Sequence, residues 1–182
     1  VVGLINGMAG GASILAYSLL SAFGLNPVAA ATTTALGVTS ANFAATRHHD
    51  GTIRSLIRTN RDLILAATIG TIIGAYFLLT MPMLTLQKVS PFLVLTAALT
   101  LLIPPAQGRA FLTRTKETWA IFGTGLYCGY FGPGQDVMVS AILARNPRSS
   151  TQLLNATKNI VVGCTAIASD VIYTFSCLLY TS

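Results

Sequence analysis

Apolar and polar residues fall in long blocks along this chain rather than alternating. Residues 63–86 and 89–107 carry no charged side chain. A membrane-crossing helix needs roughly 20 mostly apolar residues, so both stretches read as spans. The pattern predicts a helix over 63–80, a short turn holding Pro82 and Lys88, and a return over 89–103 that stops at Pro104 and Pro105. A polar loop over 47–62 precedes this pair and a second over 104–118 follows it. Upstream, 1–8 reads as one half-helix and 12–23 as another, with Gly10 and Gly11 between them. After a turn at 24–26, Pro27 opens a helix reaching about Thr46; proline suits a helix start because its missing N–H would go unused there. Downstream, a second broken element covers 119–143. A short basic turn with Arg145 and Arg148 then leads into a helix from about Thr151 to Phe175.

The two broken elements are copies of one another. The first reads Gly3-Leu-Ile-Asn6-Gly7-Met-Ala-Gly10-Gly11-Ala-Ser13, the second Leu126-Tyr-Cys128-Gly129-Tyr-Phe-Gly132-Pro133-Gly134-Gln135-Asp136. Gly7 matches Gly129 and Gly10 matches Gly132 at one constant offset. Each copy is followed by an apolar run, an Asn-Pro pair (Asn26-Pro27, Asn146-Pro147) and a Thr-rich helix start. Paired Gly/Pro-interrupted apolar segments in corresponding halves point to a secondary transporter and its binding site. The expected fold is an all-α polytopic membrane protein of two homologous, inverted repeats, each opening with a Gly-broken helix or re-entrant hairpin. Residues 1–118 form the first repeat with its connecting loop, and 119–182 begin the second. Equal repeats would place one or two further spans after Ser182, and residues 176–182 resemble translated adapter sequence without functional weight.

Small and hydroxylated residues on the helices suit close packing. Thr32, Thr33, Thr34, Thr39 and Ser40 sit among alanines, and Gly70 and Gly74 form a Gly-x-x-x-Gly pair.

Composition agrees with a bilayer environment: 53% of residues are hydrophobic and 9% charged, against about 25% charged in an ordinary soluble domain. The net charge of +6 comes without a nucleic-acid motif or a basic stripe with interleaved aromatics. Cys128, Cys164 and Cys177 have neither zinc nor redox spacing and read as packing residues. No cofactor or metal is implied, and oligomeric state is not legible.

The placement of charge fixes an orientation. Lys plus Arg number four in 47–61, one in 81–90, three in 104–118 and two in 144–150. If every element spans, one side collects seven and the other three. If both broken elements are hairpins, the sides collect nine and one. Positive residues gather in the cytoplasm, which favours the hairpins with 47–61 and 104–118 inside and 81–90 outside. Trp119 then lies where an interfacial aromatic belongs.

A helix broken at membrane depth frees backbone groups, which lipid tolerates only where protein buries them or a wet cavity faces them. The half-helix after each break begins with N–H groups and the positive end of a dipole, a ready anion site. Glycines there admit a ligand to the backbone, unless they serve helix crossing alone. The candidate substrate-binding residues are therefore Gly10, Gly11 and Ser13 in the first copy and Gly132, Gly134 and Gln135 in the second. Lys158, with Asn155 and Asn159 on roughly one face, supplies an intramembrane charge. The alternatives for Lys158 are snorkelling to the interface or pairing with Asp136. Asn42, on the helix after the first Asn-Pro pair, is the counterpart of Asn159. Asp136 is a coupling-proton carrier, a charge partner for Lys158, or a helix cap. His48 and His49 read as interfacial polar residues rather than a proton relay, and Asp170 lies deeper along the last helix, near its expected end.

These residues resemble the sulfite exporter TauE/SafE family of permeases. The Gly-rich break, the apolar half-helix, the Asn-Pro turn and the Ala/Thr helix, each repeated, carry the resemblance over essentially the whole chain. The family's break usually reads Gly-apolar-Gly-Gly-Gly; the second copy here departs by Pro133 and by the polar pair Gln135-Asp136. The resemblance implies an inner-membrane exporter of small sulfur oxyanions, organosulfonates or other organic anions. Its partners would be the anion and the lipid bilayer. An anion channel is the alternative, requiring a continuous polar pore. An intramembrane enzyme would need a nucleophile–base or metal constellation that the sequence lacks.

Overall fold

A computed structural model describes residues 12–25, 29–30, 33–34, 37, 39, 42, 53–81, 83–102, 113–145 and 150–180. Gly10, Gly11, both Asn-Pro pairs and the two histidines lie outside them. The described residues form seven helices: α1 (Ala12–Ala22), α2 (Ile53–Thr59), α3 (Arg61–Thr80), α4 (Met83–Leu102), α5 (Arg114–Tyr130), α6 (Gln135–Leu143) and α7 (Thr151–Tyr180). Residues 29, 30, 33, 34, 37, 39 and 42 are also helical, within the stretch expected to follow Pro27.

α3 and α5 form the central pair, and small residues on both let their backbones meet. A Cβ on Gly70 would strike the Phe122 carbonyl and lie 2.9 Å from Leu126 N; one on Gly129 would strike the Thr71 carbonyl and lie 2.7 Å from Ala75 N. Gly74 and Gly125 are blocked in the same way by Leu126 and Ala67. The expected packing role of Gly70 and Gly74 is thus met by a second Gly-x-x-x-Gly pair, Gly125 and Gly129. Thr71 adds a hydroxyl bond across the contact, to Gly125 O at 3.2 Å. Contacts advance together along both helices, so α3 and α5 run parallel.

Their first turns are tied at one end. Arg114 donates from Nε to Asp62 Oδ2 at 2.6 Å, from a terminal nitrogen to Asp62 Oδ1 at 2.5 Å, and to Thr59 O at 3.2 Å. Glu117 lies 3.5 Å from the same guanidinium. Its burial pushes the carboxyl above its usual value, against the opposing pull of Arg114. The Arg–Asp fork is half-exposed, where such pairs contribute about 0–1 kcal/mol; it fixes which helix ends are neighbours.

α6 turns back along α5. Val139 and Leu143 pack with Leu63, Ala67, Ile121, Val161 and Val162, so the end of α6 returns toward the starts of α3 and α5. Leu56 packs with Ala156 and Ile160 from the start of α7. Further along α7, the Tyr173 hydroxyl donates to Gly129 O near the end of α5. α5 and α6 therefore form a hairpin, and α7 runs parallel to α5. Seventeen helical residues rise about 25 Å, so the hairpin tip lies far from the ends it joins.

Several boundaries differ from the sequence expectation: α2 lies in a stretch expected as polar loop, α5 begins at Arg114 rather than Trp119, and α7 reaches Tyr180. Lys88 lies inside α4, which begins at Met83. Pro91 is accommodated within α4 rather than near its start. α3 is the one helix among the described residues long and apolar enough to cross a membrane. Its outward face is apolar, with Leu65, Ile69, Ile72, Tyr76 and Phe77 exposed. A face of that kind does not suit water.

Candidate functional site

The tip of the α5–α6 hairpin is a tight turn built on two glycines. Gly132 has φ +90° and Gly134 φ +98°, a left-handed conformation that glycine adopts without a Cβ penalty. Gly134 is the N-cap of α6. It also leaves no room for a side chain, since a Cβ would lie 2.8 Å from Ala97 Cβ and 3.2 Å from Ile14 Cγ1. Gly132 has space, with Cys128 O at 3.7 Å the nearest atom to its Cβ position.

Side chains satisfy much of the backbone that the break frees. The Tyr127 hydroxyl donates to Pro133 O at 2.7 Å. Gly134 N–H donates to Ser13 Oγ at 3.1 Å. Phe131 N–H closes α5 on Tyr127 O at 2.9 Å, and Gln135 N–H reaches Gly132 O at 3.4 Å. The amide of Gly134, expected to face a ligand, is thus spent on a serine from the other half of the chain. Tyr17 of α1 packs edge-on to Phe131 with ring centroids 4.8 Å apart. The start of α1 and the second break are one packed unit.

A cavity of about 40 Å³ opens at this tip. About 10–15 Å³ admits one water, so the space fits a small ion. Its wall includes Ser13 from α1, Cys128 from α5, Gly132 and Pro133 of the turn, and Gln135 and Asp136 of α6. Phe131, Thr34 and, from α7, Val162, Ala166, Ser169 and Tyr173 complete it. Gln135 is 2% exposed. Its Oε1 accepts from the Thr165 hydroxyl at 2.9 Å, while its Nε2 has no hydrogen-bond partner among the described residues. A buried donor without a partner costs about 1–3 kcal/mol, which an acceptor in the cavity would offset.

Of the residues expected at the site, Ser13, Gly132, Gln135 and Asp136 share this wall, and Gly134 joins them through the backbone. Lys158 is fully buried, 0% exposed, so it does not snorkel to an interface. It is not on the wall: it sits one helical turn before Val162, and the Asp136 carboxylate acts on it electrostatically. Asn159 and Asn42 are buried and Asn155 is half-buried; none of the three lines the cavity. Gly10 and Gly11 lie outside the described residues.

Sequence reasoning missed Tyr127, Thr165, Ser169 and Tyr173. A signal existed for three of them. Lys158, Val162, Thr165, Ser169 and Tyr173 recur at three- and four-residue spacing and so share one face of α7. Tyr127 carried no such signal, because its role depends on where the turn folds back.

The family model described as "Sulfite exporter TauE/SafE" matches residues 1–181. No match is found among curated proteins or among solved structures.

Proposed function

Because the chain belongs to the sulfite exporter TauE/SafE family, whose members are membrane transporters, we propose that it is a multi-pass inner-membrane carrier exporting small anions such as sulfite or organosulfonates. One observation carries the reading: the buried Nε2 of Gln135 has no hydrogen-bond partner among the described residues and stands on the wall of a small cavity, with a buried lysine next to that wall. A donor and a cation so placed suit an anion, and the glycine turn gives access to them. In this reading the α5–α6 hairpin is re-entrant and the first break forms its inverted mate. Ser13 joins the two breaks across the cavity.

Sulfite or methanesulfonate counterflow in proteoliposomes tests the reading. Saturable exchange supports a carrier; unsaturable conductance would make the protein a channel. Lys158→Gln should weaken anion binding about tenfold or more, since a charge-assisted hydrogen bond contributes roughly 1.5–3 kcal/mol. Unchanged affinity in that variant would leave Lys158 a structural charge and move the site to Gln135 and the turn.

The same reading sets the topology. Residues 47–61, 104–118 and 144–150 are cytoplasmic and 81–90 external, by the nine-to-one distribution of Lys and Arg. The Asp62–Arg114 fork and the return of α6 support one shared side for the three. An impermeant thiol reagent added outside should modify a cysteine introduced in 81–90 and spare one at Arg54. Modification at Arg54 from outside would reverse the orientation.

A further inference from the structure

The wall that offers a donor to an anion also carries an acid. Asp136 is 2% exposed and faces the cavity, and Lys158 lies next to it off the wall. An anion entering the cavity therefore meets the carboxylate, whose charge also acts on the Lys158 ammonium. Two like charges about 4 Å apart, at an effective dielectric of ~20, disfavour each other roughly a thousandfold. The cavity of about 40 Å³ gives them no room to separate. The carboxylate and the anion therefore disfavour each other as charged species at this site.

We propose that a proton and the anion bind together here: Asp136 takes up the proton, and the Lys158 ammonium behind the wall then offsets the charge of an anion bound by Gln135 Nε2. The step is a proton transfer from water to a carboxylate oxygen, with no redox change. It reverses when the anion leaves: the proton departs and the carboxylate regains its charge. Both ligands then cross in the same direction, one proton for each anion, and net flux follows the sum of the two gradients. The inference rests on the carrier reading and adds its coupling ion.

Other ionisable groups face this region. Cys128 and Tyr127 come from α5, Tyr17 from α1, and Tyr173 and Asp170 from α7. Thiols and phenols ordinarily keep their protons between pH 5 and 7. Asp170 accepts from the Thr39 hydroxyl at 3.1 Å and does not line the cavity. Lys88, the ionisable residue of α4, is exposed, and Asp62 of α3 is at the far end beside Arg114.

The test uses methanesulfonate, an anion that does not titrate in this range. Calorimetry on the purified full chain should show affinity rising as pH falls from 7 to 5, by up to tenfold per pH unit, the slope for one linked proton. In weakly buffered solution, addition of methanesulfonate should take up one proton per anion bound. Asp136→Asn should remove the pH dependence, Asp136→Glu should restore it, and Asp170→Asn should keep it. Wild-type binding with no proton uptake and a flat pH profile would overturn the proposal while leaving the carrier reading intact. PH dependence that persists in Asp136→Asn, or that vanishes in Asp170→Asn, would overturn the assignment to Asp136. If Asp136→Asn does not fold, wild-type proton uptake and the Asp136→Glu profile decide. Absence of methanesulfonate and sulfite binding at every pH, with no counterflow, would instead sink the carrier reading itself.

Discussion

Gly132→Leu should abolish anion transport while the protein remains folded and inserted. The position has φ +90°, where an L-residue costs roughly 1–2 kcal/mol. That strain alone does not stop a carrier. The decisive effect is volume: nothing lies closer to the Cβ position than Cys128 O at 3.7 Å, so the side chain extends freely into the cavity of about 40 Å³ that Gly132 lines. Leucine fills the space that the carrier reading gives to the anion. Gly132→Ala separates the two effects, since it carries the same strain with a single methyl group and should keep measurable transport. Counterflow in proteoliposomes, scaled to folded protein, checks both variants. Full transport in Gly132→Leu would show that this glycine serves only the turn.

Gly129→Leu is expected to do the opposite and remove the folded protein. Its Cβ would overlap the Thr71 carbonyl and sit 2.7 Å from Ala75 N, both backbone atoms of a neighbouring helix that cannot give way. Overpacking a close contact costs typically 1–3 kcal/mol and more where backbone must move. α3 and α5 depend on small residues for their approach. The control lies on the same helix: Gly123 is exposed, with nothing within 4 Å of its Cβ position. Gly123→Leu should be neutral. Thermal unfolding in detergent, followed by size-exclusion chromatography, should show a large loss for Gly129→Leu and no shift for Gly123→Leu. Equal stability of the two variants would contradict the close packing of α3 on α5.

These two glycines also show what the sequence could convey. Gly129 aligns with Gly7 in the repeated break, so the repeat alone gave it no packing role. Yet it lies four residues after Gly125, a helical spacing, and the structure uses it for packing. Glycine answers both needs, close approach and left-handed turns, so the letter alone does not separate them. The left-handed residues, Gly132 and Gly134, flank a proline, and that pattern was legible as a break. Helix α3 was legible because a run without charges over its own length needs no tertiary information. Lys88 misled for the converse reason: a single charge was read as a turn, although a long side chain on an exposed helical face reaches polar surroundings without breaking the helix. The direction of α6 was favoured by arginine counts, but it became geometry only through Leu63, Ile121 and Leu143 meeting in one cluster. Tyr127 and Ser13 could not be assigned partners from sequence, because their bonds close a turn on itself or join distant segments.

The bond between Ser13 and Gly134 spans 121 positions of sequence. A ribosome adds roughly 5–20 residues per second, so the glycine emerges roughly 6–24 s after the serine it will engage. For that interval the serine precedes the turn that it will bond. The cavity is therefore the last feature of these two elements to exist during biosynthesis. Its wall closes later still, once α7 has been made as far as Tyr173.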